Sequence, residues 1–151
     1  MYSLLVGYDD IVGTWVHTRL NSRWTPARGQ AIGVVRDNRI IAGCTYQLWN
    51  GPNVLMDVAA EPGHRWCTRT FRWALLAHPF NVLGCKRVTA LVDEKNERSM
   101  EFVPKVGFTV ESWMDDAAPG GGDICVWVMT KQKFEERYPK PSILPNIIKA
   151  P

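Results

Sequence analysis

The chain has 151 residues, 46% of them apolar and 22% charged, with a net charge of +3 and a pI near 8.7. That length fits one domain with one substantial core. The mild basicity excludes a polybasic nucleic-acid binder while tolerating acidic ligands. Cys44, Cys67, Cys85 and Cys125 form no CxxC pair, and His17, His64 and His78 form no HxxxH or HxH spacing, which argues against a structural zinc site.

Ser3 to Gly7 reads as a short buried strand. It has no basic start, and Gly7 and Asp9-Asp10 follow at once, so it does not read as a signal peptide. No stretch reaches the apolar length of a membrane span, and a cytoplasmic protein with reduced thiols is expected. Asp9-Asp10 is expected to N-cap a helix carrying Ile11, Val12, Trp15, Val16 and Arg19-Leu20 at helical spacing. Asn21 to Gln30, with Pro26 and Gly29, reads as a polar loop. Ala31 to Arg36, an Asp37-Asn38 turn and Arg39 to Trp49 form a hairpin by pattern. Asn50 to Asn53 is a second turn, and Val54 to Ala60 is the next strand.

Thr68 to His78 predicts a helix with Phe71, Ala74, Leu75 and His78 on one face, ended by Pro79. Arg87 to Val92 is a strand rich in β-branched residues. Glu97 to Val106 predicts a second helical segment with Gly107 as its C-cap. Phe108 to Trp113 and Ile124 to Thr130 form a closing hairpin, joined by the glycine-rich and expectedly mobile Asp115–Asp123 connection. Beyond Lys131, the stretch Lys133 to Tyr138 suits one or two helical turns. Pro139, Pro141, Pro145 and Pro151 then punctuate Ile143, Leu144, Ile147 and Ile148, which favours an extended tail that wraps its own domain or docks on a neighbour. The whole reads as mixed α/β with antiparallel pieces at both ends. Seven tryptophans suit either core packing or aromatic walls around a cleft or subunit contact.

The stretch from Leu55 to Thr70 is the most informative. An apolar strand stops at Pro62, crosses a short basic loop and enters a helix whose first turn carries two hydroxyls. Such a helix start is an anion seat, because its amides are unpaired and its dipole is positive there. Arg65 lies three residues after Pro62, and Arg65-Trp66-Cys67-Thr68-Arg69-Thr70 fills a six-residue motif. Asn96 lies seven residues before Val103, and Gly107-Phe108 follows.

This pattern resembles the GNAT superfamily of acyl-CoA-dependent N-acetyltransferases, in which Q/R-x-x-G-x-G/A opens the helix after a strand ending in V-x-P. The resemblance spans residues 1–131 as a GNAT-like domain, with 132–151 as a proline-rich C-terminal tail. It implies a twisted, mostly antiparallel sheet of six or seven strands flanked by about three helices, with a splay between central strands as the cofactor cleft. It implies acetyl-CoA contacts from Val58, Ala60, Arg65, Trp66, Cys67, Thr68, Arg69, Thr70 and Asn96. Three departures stand out. Thr68 and Thr70 replace the motif glycines that let a backbone approach a phosphate. Val103 replaces the tyrosine that protonates the departing thiolate. Pro104 sits inside the last helix and is expected to kink it.

Asp57 is the first candidate for general base and Glu61 the second, since a carboxylate on this strand would deprotonate an ammonium before attack. Strand alternation leaves open whether Asp57 faces the cleft or pairs elsewhere. Ser99 is either a weak proton donor or a first-turn capping residue. Cys67 is either a helix-start thiol with a lowered pKa or a half-buried small residue. His64 is either a phosphate contact or a solvated loop residue, and Arg65, Arg69 and Arg72 either meet phosphate or form a solvated face. The implied activity is acetyl transfer to an amine of a small molecule or protein. The alternative is an inactive GNAT-fold binding or structural protein, since degenerate members of this size resemble some encoded by tailed bacteriophages, virion components included. On that reading the tail serves an oligomer or an assembly partner.

Overall fold

The computed structural model describes residues 1–25 and 29–151. Eight strands form one sheet: β1 (Ser3–Val6), β2 (Gly29–Arg36), β3 (Arg39–Gln47), β4 (Asn53–Ala60), β5 (Arg87–Asp93), β6 (Thr109–Met114), β7 (Ile124–Thr130) and β8 (Ile147–Lys149). Their spatial order is β6-β7-β5-β4-β3-β2-β1-β8. Pairing is antiparallel except for β4 with β5 and β1 with β8. The described residues form four α-helices: α1 (Asp9–Arg19), α2 (Arg69–Ala77), α3 (Glu97–Val106) and α4 (Lys131–Arg137). The mixed α/β, mostly antiparallel fold expected from the sequence is therefore what forms, with one more strand and one more helix. Both additions come from the segment after Thr130.

Apolar alternation sorts the sheet into two faces. α1 packs Val12 and Val16 against Ala31 and Ala59 on one face. The larger core lies on the other face. There Phe71, Leu75 and Leu76 of α2, Val106 of α3 and Phe134 of α4 meet Ile41, Val54, Val88, Trp127 and Met129 of the strands. Of the tryptophans, Trp66 and Trp127 are buried, while Trp49 and Trp113 are 54% and 48% exposed, so core packing accounts for only part of the excess.

Several local expectations change. Asp9 and Asp10 lie inside the first turn of α1, and Tyr8 is the N-cap. The Asp9 carboxylate is drawn across to accept the Ala31 N–H at 3.0 Å, and it still sits well against the helix dipole. The Asn21–Gln30 loop is shorter than its polarity suggested, because Gly29 and Gln30 already pair with Gln47 and Tyr46; Pro26 lies outside the described residues. β3 stops at Gln47 rather than Trp49, since Leu48 takes φ 54° and leaves the ladder. Asp37 and Asn38 adopt φ 52° and 60°, as a two-residue hairpin turn requires.

α2 stops at Ala77, two residues before Pro79, though the chain does not leave helical conformation there. The chain continues through a π-type turn, His78–Val82, in which the Leu83 N–H donates to the His78 carbonyl. Pro79 stands at the start of that turn, where no amide donor is needed. α3 runs unbroken past Pro104 to Val106, closed by Gly107 at φ 120°. The Asp115–Asp123 connection is fastened rather than loose. Asp123 Oδ1 accepts the Asp116 N–H, the Ala118 N–H donates to Gly122, and the Glu94 N–H donates to the Asp123 carbonyl.

The C-terminal segment wraps its own domain. Tyr138 is buried and donates its hydroxyl to the Val106 carbonyl. β8 then lies parallel beside β1, where the Leu4 N–H donates to Asn146 and the Ala150 N–H to Val6. Among the described residues no helix is long and apolar enough to cross a membrane.

Candidate active site

β4 and β5 pair only where Asn53–Leu55 meets Arg87–Thr89. Beyond that point β4 stays with β3 as far as Ala60, and β5 stays with β7 as far as Asp93. The two strands must therefore diverge. The backbone of β4 beyond Leu55 has no strand partner on its β5 side, leaving main-chain groups free to bond a ligand. The gap opens a cleft of about 1150 Å³ that passes between the two sheet faces. Asp57, Leu91 and Ile124 line it, as do Val58, Val92, Val103 and Val106.

Asp57 stands in the wall of this cleft with its side chain 33% exposed. Strand alternation turns it to the α1 face, opposite Thr45 in the β3–β4 register. There it meets a residue the sequence reading passed over. His17 projects from the apolar side of α1, is buried, and places Nε2 3.8 Å from Asp57 Oδ2 and 2.9 Å from Thr45 Oγ1. Its Nδ1 lies 2.7 Å from Ser22 Oγ. Burial pushes the Asp57 carboxyl above the usual carboxylate range, and His17 pulls it partly back. Glu61, the second candidate, is committed elsewhere. It bonds Arg39 at 3.0 Å and Arg19 at 3.4 Å, and lies 3.8 Å from His64. Both of its guanidinium partners lie on other elements, so Glu61 is held in an ion-pair cluster.

The motif loop divides into two sets. Trp66, Cys67 and Arg72 line the cleft, as do Val58, Ala60, Asn96 and Ser99. Arg65, Thr68, Arg69 and Thr70 lie outside that lining. Thr68 is the N-cap of α2 and accepts the Phe71 N–H on its own hydroxyl at 3.3 Å, so the threonine takes up an amide of the helix start. Arg65 is exposed. The Arg69 guanidinium donates to the Arg137 carbonyl and lies over the Tyr138 ring.

Trp66 puts its ring into the main core. Burial raises the Cys67 thiol pKa despite Arg72 nearby, so the helix start does not activate it. Asn96 caps α3 by accepting the Ser99 N–H at 3.2 Å, which places Ser99 in the first helical turn. His64 lines the cleft, and its Nδ1 meets Tyr2 Oη at 3.3 Å. Arg72 Nε is buried with no hydrogen-bond partner among the described residues. The aliphatic Val103 lines the cleft where the resemblance expects a hydroxyl.

No family model matches the sequence, and no curated protein matches it. Solved structures do match. A mutant of the spermidine N-acetyltransferase SpeG from Vibrio cholerae superposes with a TM-score of 0.71 at 14% identity, covering 90% of this chain and 97% of that one. A probable acetyltransferase matches with a TM-score of 0.60 at 16% identity, covering 70% and 64%. The N-acetyltransferase PseH from Campylobacter jejuni matches with a TM-score of 0.56 at 14% identity, covering 70% of each chain. The chain has the fold of the GNAT acetyltransferases.

Proposed function

We propose that this protein is an acetyl-CoA-dependent N-acetyltransferase whose acceptor is an amine of a small molecule or protein, with Asp57 as its general base. One observation carries the reading. The splay of β4 from β5 opens a cleft through the sheet, and a partly accessible carboxylate stands in its wall. An Asp with a raised pKa is better matched to taking an ammonium proton near neutrality than an ordinary carboxylate. The structural neighbours are named for acetyl transfer, and the spermidine enzymes among them for an amine acceptor.

The residues of the cleft fit the donor. The open edge of β4 at Val58 and Ala60 would hold amide groups of a pantetheine arm. Arg72, whose side chain lines the cleft, would offer its guanidinium to anionic or carbonyl oxygens. Trp66, Cys67 and Asn96 complete that wall. Arg65 stands exposed at the loop, and Thr68, Arg69 and Thr70 surround the helix start from outside the lining. Acetyl-CoA, when bound, supplies the acyl group as a thioester. The protein's part is to seat the amine on the α1 side, take its proton at Asp57 and keep the reacting groups together. Val103 donates no proton, so a thiolate leaves with solvent as its acid, or with Ser99 as a weak donor.

A second reading rests on Thr68 and Val103. A helix start that caps itself and a cleft without the tyrosine suit a GNAT-fold binding or assembly protein without turnover, virion components included. On that reading residues 132–151 serve a partner or a second copy.

Isothermal titration with acetyl-CoA decides between them first. Saturable binding is expected. No heat at millimolar ligand would end the enzyme reading.

A further inference from the structure

His17 is 3% exposed, yet both of its ring nitrogens are engaged by hydroxyls from two different elements. Thr45 holds Nε2 from β3, directly opposite Asp57 in the register. Ser22 holds Nδ1 from the segment after α1, and Leu20, Asn21, Ser22 and Arg23 all line the cleft. The ring packs on Trp24 with centroids 5.5 Å apart. Trp24 is itself seated over two glycines. A Cβ on Gly13 would come within 2.6 Å of its Cζ2, and one on Gly29 within 2.7 Å of its Cη2. A histidine serving only the core has no need of a carboxylate at 3.8 Å in a cleft wall.

We propose that His17 is a positioning residue for Asp57: it ties the carboxylate on β4 to the Leu20–Arg23 segment, so that an amine seated against that segment also sets the base. This rests on the reading of Asp57 as general base. The titratable and charged groups around Asp57 are His17 from α1 and Cys44 from β3. Glu61 lies along its own strand, Cys67 and Arg72 lie on the α2 side, and Asp93 ends β5 across the cleft. Among the described residues His17 is the one basic side chain within 4.0 Å of Asp57, and no lysine or arginine comes that near. A neutral amide at position 17 keeps the Thr45 contact and removes that partner. Asp57 then holds its proton more tightly, and the base is lost at a higher pH as pH falls.

The test uses the full chain with His17→Gln and Ser22→Ala, folding checked by circular dichroism. For His17→Gln, kcat is expected to fall about tenfold, a fraction of the ~10²–10⁴-fold that general-base catalysis contributes, with KM for acetyl-CoA unchanged. The acid limb of kcat/KM moves to higher pH. Ser22→Ala moves kcat and the limb the same way by less, and raises KM for the amine. An unmoved limb overturns the proposal even if activity drops, because a purely structural role lowers the rate without moving it. If His17→Gln fails to fold, an unchanged Ser22→Ala profile overturns it alone. An NMR spectrum of the His17 ring needs no turnover. Asp57→Asn should move the His17 ring resonances, and unmoved resonances overturn the pairing. An inactive wild type would end the general-base reading instead, leaving the ring resonances to decide whether the two residues are coupled.

Discussion

Gly13→Ala should destabilise the protein although alanine is the better helix former. Gly13 lies inside α1 at ordinary helical φ, and in isolation the change would stabilise the helix by about 1 kcal/mol. A Cβ there would overlap Cε2 and Cδ2 of Trp24 and reach 2.6 Å from Cζ2. Ordinary carbon contacts begin near 3.5 Å, so the indole must retreat by roughly 1 Å or leave its slot. Gly29 closes the slot from the strand side, and β2 leaves little room to yield. Losing a core tryptophan costs about 3–5 kcal/mol; Trp24 is half-buried, so roughly half of that applies, and subtracting the propensity gain leaves a net loss of ~1 kcal/mol. Urea denaturation of Gly13→Ala, Trp24→Ala and the double variant measures it. With Trp24 already removed, Gly13→Ala should change sign and stabilise by about 1 kcal/mol. An equal loss in both backgrounds would refute the clash and with it the slot that holds Trp24 against His17.

Three further outcomes follow from the same geometry. Asp57→Asn should raise stability at neutral pH. A folded-state pKa above the unfolded value gives stability that is complete at low pH and lost as pH rises through the folded value, so the gain over wild type should grow from pH 4 to pH 8 in thermal melts; a gain that shrinks with pH would contradict it. Tyr138→Phe removes a buried hydroxyl from the Val106 carbonyl and should cost ~1–2 kcal/mol in urea melts, which a neutral result would exclude. Deleting Lys140–Pro151 strips β8 from β1 and should lower the melting temperature. Light scattering on the same variant tests the tail as an assembly element, where an unchanged mass leaves it a strap within its own domain.

The legible parts of the chain were those with local signals. The C-terminal end of α3 is legible because Gly107 takes a conformation few other residues adopt, while the Asn96 cap at its start emerges only in the structure. The β2–β3 hairpin was legible because Asp37-Asn38 tolerates positive φ at both turn positions. The missed parts depend on partners distant in sequence. β8 forms because β1 presents an open edge, so three exposed residues find hydrogen bonds that no local pattern announces. His17 sits at a helical position that reads as core, and only its meeting with Thr45 and Asp57, 28 and 40 residues away, makes it part of a site. By motif alignment Thr68 stands as a glycine replacement at a phosphate seat. Its structural use is that of a capping hydroxyl, which the same residue type predicts equally well.

Asp57 as the proton acceptor for an amine, in a cleft that binds acetyl-CoA, is tested by pairing acetyl-CoA titration with amine-dependent release of free thiol, for wild type and Asp57→Asn. Equal acetyl-CoA affinity in the two proteins is expected, with a loss of turnover of roughly 10²-fold or more in the variant. Full turnover by Asp57→Asn, or a wild type that binds no acetyl-CoA, would contradict it.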